Sequence, residues 1–379
     1  MAVLRPAGDF DRSYEQDMGI LRSRWQKVLL LALLLAAFTM PMYATESAVS
    51  LVNRICIFVI AVQGLNILTG YTGQISLGQA AFMTVGGYTS ALLMSLWGWN
   101  FFIALPVAGL VAGLVGLFFG LPSLRVKGFY LVMATLAAQF IIPWITRNLW
   151  KDVLNGAQGI NVPVPELSLP VINGLCLLGT TFNANTGNCV YRFAKPSQFI
   201  YITLVVLLIT TIVALNISRT RFGRALISVR DNDLAAELLG INLFYYKLRA
   251  FFLASVFAGL AGSLLAHNLR HINSETIGLN DSIIMLGMLI VGGMGANIGP
   301  FFGAAFFILL EELAVFLTPV IIGLIESGVL PGDAAGVGAA LRPLIFGFAL
   351  ALFLVFEPRG LAYRWTLLKA SWRLRPFAR

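Results

Sequence analysis

Ten apolar runs with almost no charge, at about 28–44, 51–68, 79–96, 101–120, 129–146, 199–216, 249–267, 282–296, 300–318 and 341–356, dominate this chain of 379 residues. Each approaches the roughly 17–25 residues that a helix needs to cross a bilayer. Backbone in hydrocarbon must satisfy its own polar groups, which a helix does within one segment. The expected fold is therefore an all-α polytopic membrane protein with about ten transmembrane helices. Composition agrees, since 58% of residues are hydrophobic and 11% charged, against about a quarter charged in a soluble domain.

Positive charge orients the spans, because cytoplasmic connections carry the excess of Lys and Arg. With the N-terminus inside, 19 of the 26 basic residues fall in residues 1–27, at Arg125 and Lys127, in 217–249 and in 357–379. Both termini are then cytoplasmic. The net charge of +9 is topology and implies no nucleic-acid partner. Three regions follow: a cytoplasmic N-terminal segment 1–27, a transmembrane domain 28–356, and a basic cytoplasmic tail 357–379. The domain includes an external loop, 147–198, and a cytoplasmic segment, 217–248. Arg22, Arg24 and Lys27 before an apolar run, with Met42-Tyr43-Ala44 after it, resemble a signal peptide. Removing that run would reverse the parity behind the charge count, so it is read as the first span.

Glycines and uncharged polar residues interrupt the apolar pattern between the second and third spans, in Gly64-Leu65-Asn66-Ile67-Leu68-Thr69-Gly70-Tyr71-Thr72-Gly73-Gln74-Ile75-Ser76-Leu77-Gly78-Gln79. A smooth membrane helix is not written this way; the pattern predicts a broken or re-entrant segment. Non-helical backbone at membrane depth survives only where protein or a wetted cavity satisfies it, and broken helices often line transporter paths. Thr72, Gln74, Ser76 and Gln79 are thus candidates to line or support a path, with Gly70, Gly73 and Gly78 permitting the break. Close helix packing uses the same residue types, and the sequence does not choose between the two.

The second informative region runs from Ser218 to Ile241. It predicts one short helix from Gly223 or Arg224 to Arg230 and a second capped by Asp233 and closed by Gly240 in the left-handed conformation. Ile227, Leu234, Leu238 and Ile241 recur on one face, while Ala235 and Ala236 leave room for another surface. Such a face suits either a soluble partner or the lipid headgroups.

Other residues carry weaker signals. No Gly-x-x-x-x-Gly-Lys-Ser/Thr loop is present, so any ATP is hydrolysed by another subunit. His267 and His271 stand at i, i+4 but lack a third ligand nearby in sequence, so interfacial hydrogen bonding is the preferred reading and no metal is assigned. Glu311 and Glu312 fall midway along the ninth run, where ionisable groups are functional candidates; the other reading ends that span early and leaves them near the outer surface. Cys56 is an apolar filler within a span, while Cys176 and Cys189 share the external loop, where a disulfide and two free thiols stand as equal readings. Gly292-Gly293-Met294-Gly295-Ala296-Asn297-Ile298-Gly299-Pro300 echoes the first glycine break, either as an internal repeat or as a tight turn. Gly120–Tyr130 is an inside turn that needs no chemistry.

Several of these pieces share one pattern. They are Gly73-Gln74-Ile75-Ser76-Leu77-Gly78-Gln79-Ala80-Ala81-Phe82, Leu121-Pro122-Ser123-Leu124-Arg125-Val126-Lys127-Gly128 and Gly156-Ala157-Gln158-Gly159-Ile160. With them go Arg221-Phe222-Gly223-Arg224-Ala225 through Ala235-Ala236-Glu237-Leu238-Leu239-Gly240-Ile241, the Gly292–Pro300 break and Pro358-Arg359-Gly360-Leu361. In order and spacing, across roughly residues 50–361, they resemble the LivM-type permease of branched-chain amino acid ABC importers. The resemblance implies a multi-pass subunit of the bacterial inner (plasma) membrane, paired with a LivH-type second permease. It further implies two cytoplasmic ABC ATPases that use ATP and Mg, an external substrate-binding protein, and no cofactor on this chain itself.

On that footing Arg221, Gly223, Arg224, Ala225, Arg230, Asp231, Asp233, Ala235, Ala236, Glu237 and Gly240 belong to the coupling element that enters the ATPase cleft. The ten-span count also fits vitamin B12-type permeases. An extra stretch at roughly 166–196, holding both external cysteines, departs from the pattern. Branched-chain or other neutral amino acids are the expected substrates, with urea or short amides as the alternative. An ion-coupled secondary transporter using Glu311 or Glu312 is the rival of another class, and a membrane scaffold without flux is a third.

Overall fold

The computed structural model describes residues 24–123, 130–149, 154–169, 181–183, 188–326, 334–357 and 359–374. Its helices are α1 (Arg24–Tyr43), α2 (Glu46–Leu65), α3 (Gln79–Trp97), α4 (Phe101–Ser123), α5 (Tyr130–Trp144), α6 (Pro196–Arg219), α7 (Arg221–Asp231), α8 (Asp233–Leu238), α9 (Leu243–Leu269), α10 (Leu279–Gly292), α11 (Gly299–Glu326), α12 (Ala334–Phe356) and α13 (Leu361–Leu374). All ten apolar runs fall on helices, and the protein is an α-helical polytopic membrane protein. The expected ten spans are not reached by length, however. Seven described helices are long and apolar enough to cross a bilayer, and an eighth would join Pro343–Phe356 to Leu361–Ser371 across a 47° bend. The 14 residues of α10 rise about 21 Å, short of a hydrocarbon core of about 30 Å.

The chain divides into two compact units, Ala37–Leu286 and a second made of Gly287–Arg379 with Met1–Ala36. In the larger unit α9 is the central helix, packing along α3, α4 and α2. Small residues set that closeness: a Cβ on Gly262 would lie 1.9 Å from the Met83 carbonyl oxygen, and one on Gly86 2.2 Å from the Gly259 oxygen. Without a hydrophobic force between helices in lipid, van der Waals contact of this kind is what holds them. Polar clamps add to it. Asn53 Nδ2 donates to Asn268 Oδ1 at 2.7 Å, and Gln63 Nε2 to Thr211 Oγ1 at 2.7 Å. The opposite faces of α4 and α6 expose Leu110, Leu114, Phe118, Ile209 and Ile212, as a lipid-facing surface would.

In the smaller unit α11 and α12 pack through Phe306 on Phe353 and Phe307 on Phe346. The Gly292–Pro300 break takes the form of a tight turn between α10 and α11, with Gly293 at φ 112° and Gly295 at φ 78°. Gly360 lies against it so closely that a Cβ would sit 2.6 Å from Gly293 Cα.

The all-α architecture carries a few short strands, most of them in the connection between α5 and α6. Strands β2 (Glu166–Leu169), β3 (Thr181–Asn183) and β4 (Asn188–Arg192) form an antiparallel sheet in the order β2-β4-β3, and β1 (Ile160–Asn161) pairs with β5 (His271–Ile272). Alternating residues such as Asn188-Cys189-Val190-Tyr191-Arg192 suit a pleated ribbon better than a helix. Gly159 permits the β1 approach: its φ is +73°, and a Cβ would stand 2.2 Å from the Ile272 oxygen. Cys189 pairs in register with Leu169 and Phe182, while Cys176, and with it the bridge, lies outside the described residues. So do residues 124–129 of the Gly120–Tyr130 turn, and the N-terminal segment up to residue 23.

Candidate functional site

The glycine-rich segment is broken rather than re-entrant. Helices on either side, 46–70 and 79–97, each have span length, so the irregular backbone joins two full helices. α2 first widens into a π turn at Asn66–Gly70. The chain then leaves helical geometry at Gly73, whose φ of +71° suits glycine.

Several of the freed groups find partners within the protein, as burial favours. Thr69 Oγ1 donates to the Gln74 carbonyl at 3.0 Å, and the Thr72 hydroxyl to the Leu68 carbonyl. Leu77 N donates to Thr135 Oγ1 at 3.1 Å, and Gly78 N to Ser76 Oγ at 3.3 Å. At the start of α3, Ala80 N donates to Ser282 Oγ and Ala81 N to Gln139 Oε1, both at 2.9 Å. The Gln79 amide donates to the Ala61 carbonyl at 2.8 Å.

Thr72, Ser76 and Gln79 are therefore buried and engaged with their own chain, Gly70 and Gly78 are buried, and Gly73 is exposed. At the break, the buried side-chain atoms Gln74 Oε1 and Gln139 Nε2 have no hydrogen-bond partner among the described residues. Sequence reasoning did not single out Thr135, Gln139 or Ser282. They are ordinary-looking polar residues on distant helices, and only the fold brings them to the break.

The connection between α6 and α9 folds into the two expected short helices with shifted bounds. α7 begins at Arg221, capped by Thr220, whose side chain accepts from Gly223 N. Asn232 caps α8, accepting from Ala235 N, so the expectation for Asp233 is corrected: it forms an ion pair with Lys247 at 2.9 Å. Gly240 closes α8 at φ +83°, the left-handed role expected of it.

The single apolar face expected through Ile227, Leu234, Leu238 and Ile241 is divided at Asn232, because extended backbone there (φ −158°, ψ 105°) separates the two helices. Gly223, Ala225, Leu226 and Val229 face inward from α7, and Ala236 from α8. Arg221, Arg224, Ala235 and Glu237 are exposed, and Arg224 Nη1 donates back to the Arg219 carbonyl at 2.9 Å. Leu234, Leu238 and Leu239 are 64%, 88% and 81% exposed, an unusual concentration of bare leucine on six residues of helix and its cap.

The two sequence regions meet. Arg230 Nη1 donates to the Gly70 carbonyl at 2.8 Å, while its Nε and Nη2 both donate to Asp231 Oδ1 at 3.0 Å. Ser218, beside α7, is hydrogen-bonded to the Tyr71 hydroxyl. These links span about 150 residues of sequence and were not legible in it.

The remaining candidates separate. His267 Nδ1 is 2.8 Å from the Ser263 carbonyl and Nε2 3.0 Å from Met94 Sδ, with its ring edge-on to Phe101; His271 Nδ1 faces Asn161 Oδ1 at 3.2 Å. Each histidine is occupied in hydrogen bonding, and His267 is buried. α11 continues without interruption from Gly299 to Glu326, so the helix does not end before Glu311 and Glu312. They stand near its middle, Glu311 half-buried and Glu312 exposed.

Residues 47–355 of this polytopic helical protein match the family described as "Branched-chain amino acid transport system / permease component". The chain belongs to that family. It is 30% identical over 291 residues to the high-affinity branched-chain amino acid transport system permease protein LivM of Salmonella typhimurium, covering 76% of this chain and 68% of that protein. The LivM protein of Escherichia coli is 30% identical over 296 residues, with the same coverage. The nucleoside ABC transporter permease protein NupC of Lactococcus lactis is 25% identical over 301 residues, covering 76% of this chain and 86% of that protein.

Proposed function

We propose that this chain is the transmembrane permease subunit of an ATP-driven ABC importer for branched-chain or other neutral amino acids. It crosses the bacterial inner membrane with ten helices and both termini in the cytoplasm. A LivH-type second permease completes the translocation path, two ATPases bind the cytoplasmic side, and an external binding protein delivers the substrate. The observation that carries this reading is α8: Leu234, Leu238 and Leu239 are bare on a connection between two span-length helices of a chain in this permease family. Exposed apolar surface of this kind marks a docking site, and an ATPase cleft is the partner that suits it.

ATP binding closes the two ATPases and tilts α7 and α8, which switches the spans between outward and inward access. Gly70, Thr72, Gly73, Gln74, Ser76, Gly78 and Gln79 shape the inner end of the path. Gln74 Oε1 supports a lining role because it is buried without a partner; the internal hydrogen bonds of Thr72, Ser76 and Gln79 suit a supporting one.

The test is uptake of radiolabelled leucine in cells expressing the full set of subunits, with alanine and urea as competitors, and with or without an intact ATPase active site. Uptake lost with the ATPase mutant and displaced by alanine supports the proposal; displacement by urea selects the amide alternative. Uptake indifferent to the ATPase mutation and driven by a proton or sodium gradient favours an ion-coupled carrier. The position of Glu311 and Glu312 mid-way along a continuous apolar helix supports that second reading.

A further inference from the structure

The broken segment ends a helix, and the carbonyls at a helix end lack partners of their own. Gln74 N, which would close the next turn on Gly70, instead reaches back to the Leu68 carbonyl at 3.4 Å. The Gly70 carbonyl is thereby released, and Arg230 takes it up at 2.8 Å. A cation at a helix C-terminus also sits where the helix dipole favours it.

The fit extends along the side chain. A Cβ on Gly73 would lie 3.1 Å from Arg230 Cγ and 3.8 Å from its Cβ, so the arginine stem lies directly on the glycine at which the chain turns out of the helix. Asp231 accepts from Nε and Nη2, which leaves Nη1 as the nitrogen aimed at Gly70. An arginine fork held this way is a directional grip rather than a loose charge.

We infer that Arg230 is the positioning residue that couples α7 to the broken segment, so that movement of α7 shifts the backbone of 70–78, with Asp231 orienting its guanidinium. This rests on the proposed docking of α7 and α8 to the ATPases and names the joint through which that docking acts. Arg230 touches neither substrate nor nucleotide. Its effect is on geometry at the break: when α7 moves, the Gly70 carbonyl and the Gly73 turn move with it.

The experiment uses the full transporter in inside-out vesicles, with cysteine introduced at Ile75, which is 44% exposed within the break. Its rate of labelling by a membrane-impermeant maleimide is measured with and without a non-hydrolysable ATP analogue, against the same transporter lacking Ile75→Cys. In the Arg230 background the analogue changes the rate at least threefold. In Arg230→Met, which keeps the stem on Gly73 but loses the donors, the change is abolished while the ATPases still co-purify with the chain.

A response undiminished in Arg230→Met overturns the inference and leaves the docking reading standing; no response in the parent overturns the inference outright. Leu238→Glu separates the two levels, because a response that survives it contradicts docking through α8. If Arg230→Met does not reach the membrane, Asp231→Asn replaces it. That variant frees the guanidinium from its orienting carboxylate, and the same two outcomes apply.

Discussion

Replacing Gly262 by alanine adds one methyl group at the tightest point of the α3–α9 contact. Its carbon would lie 1.9 Å from the Met83 oxygen and 2.5 Å from the Met83 carbonyl carbon. Non-bonded atoms rest at about 3.5 Å, so the helices must part by about 1.5 Å at this level. Both obstructing groups are backbone, and no rotamer change relieves them. Overpacking costs about 1–3 kcal/mol, and the upper end applies here. Alanine's better helix propensity returns at most about 1 kcal/mol, for a net loss of about 2 kcal/mol, roughly thirtyfold in an equilibrium constant.

Gly347→Ala, on α12, is the internal control, because nothing lies within 4 Å of the added carbon. Thermal unfolding of the detergent-solubilised complex, followed by the fraction that stays monodisperse, reads both. The expected result is a clear loss of stability for Gly262→Ala and none for Gly347→Ala. Equal melting of Gly262→Ala and the parent would refute the close-packing argument, as would equal destabilisation by the two substitutions.

Three further outcomes follow. Ser282→Ala removes the acceptor for the buried Ala80 N–H; an unmet buried donor costs about 1–3 kcal/mol, so the Ala80 amide should exchange faster and the complex melt lower, and unchanged exchange would contradict the capping role. Leu238→Glu alters a residue that is 88% exposed, so its stability cost should stay within about 0.5 kcal/mol while co-purification of the ATPases is lost; full retention of the ATPases counts against docking. Gly73→Leu places a side chain at φ +71° against the stem of Arg230, a strain of about 1–2 kcal/mol. Uptake should fail although the chain still assembles in the membrane, and failure of assembly would indicate packing instead.

Helices were legible where apolar runs were long, because transfer to hydrocarbon depends on summed side-chain chemistry that a window of sequence records. The α7–α8 pair was legible for another reason: Gly240 and the polar residues before Ala235 are local signals, although the cap proved to be Asn232 and Asp233 turned to Lys247. The polar character of 69–79 was visible, but its partners were not. Thr135 and Gln139 come from α5, Ser282 from α10 and Arg230 from α7, and no periodicity encodes which buried N–H or carbonyl each will meet. The sheet between α5 and α6 was missed because its strands are three to five residues long, too short to raise an alternating pattern above its surroundings.

The central claim is that ATP hydrolysed in another subunit drives this permease through a grip on α8. The most direct measurement places a photo-crosslinking amino acid at position 238 in the assembled transporter and asks what it captures on irradiation. The account predicts a covalent adduct with the ATPase subunit whose yield changes when the nucleotide is exchanged. Capture of lipid alone, or an adduct yield indifferent to nucleotide, would contradict it.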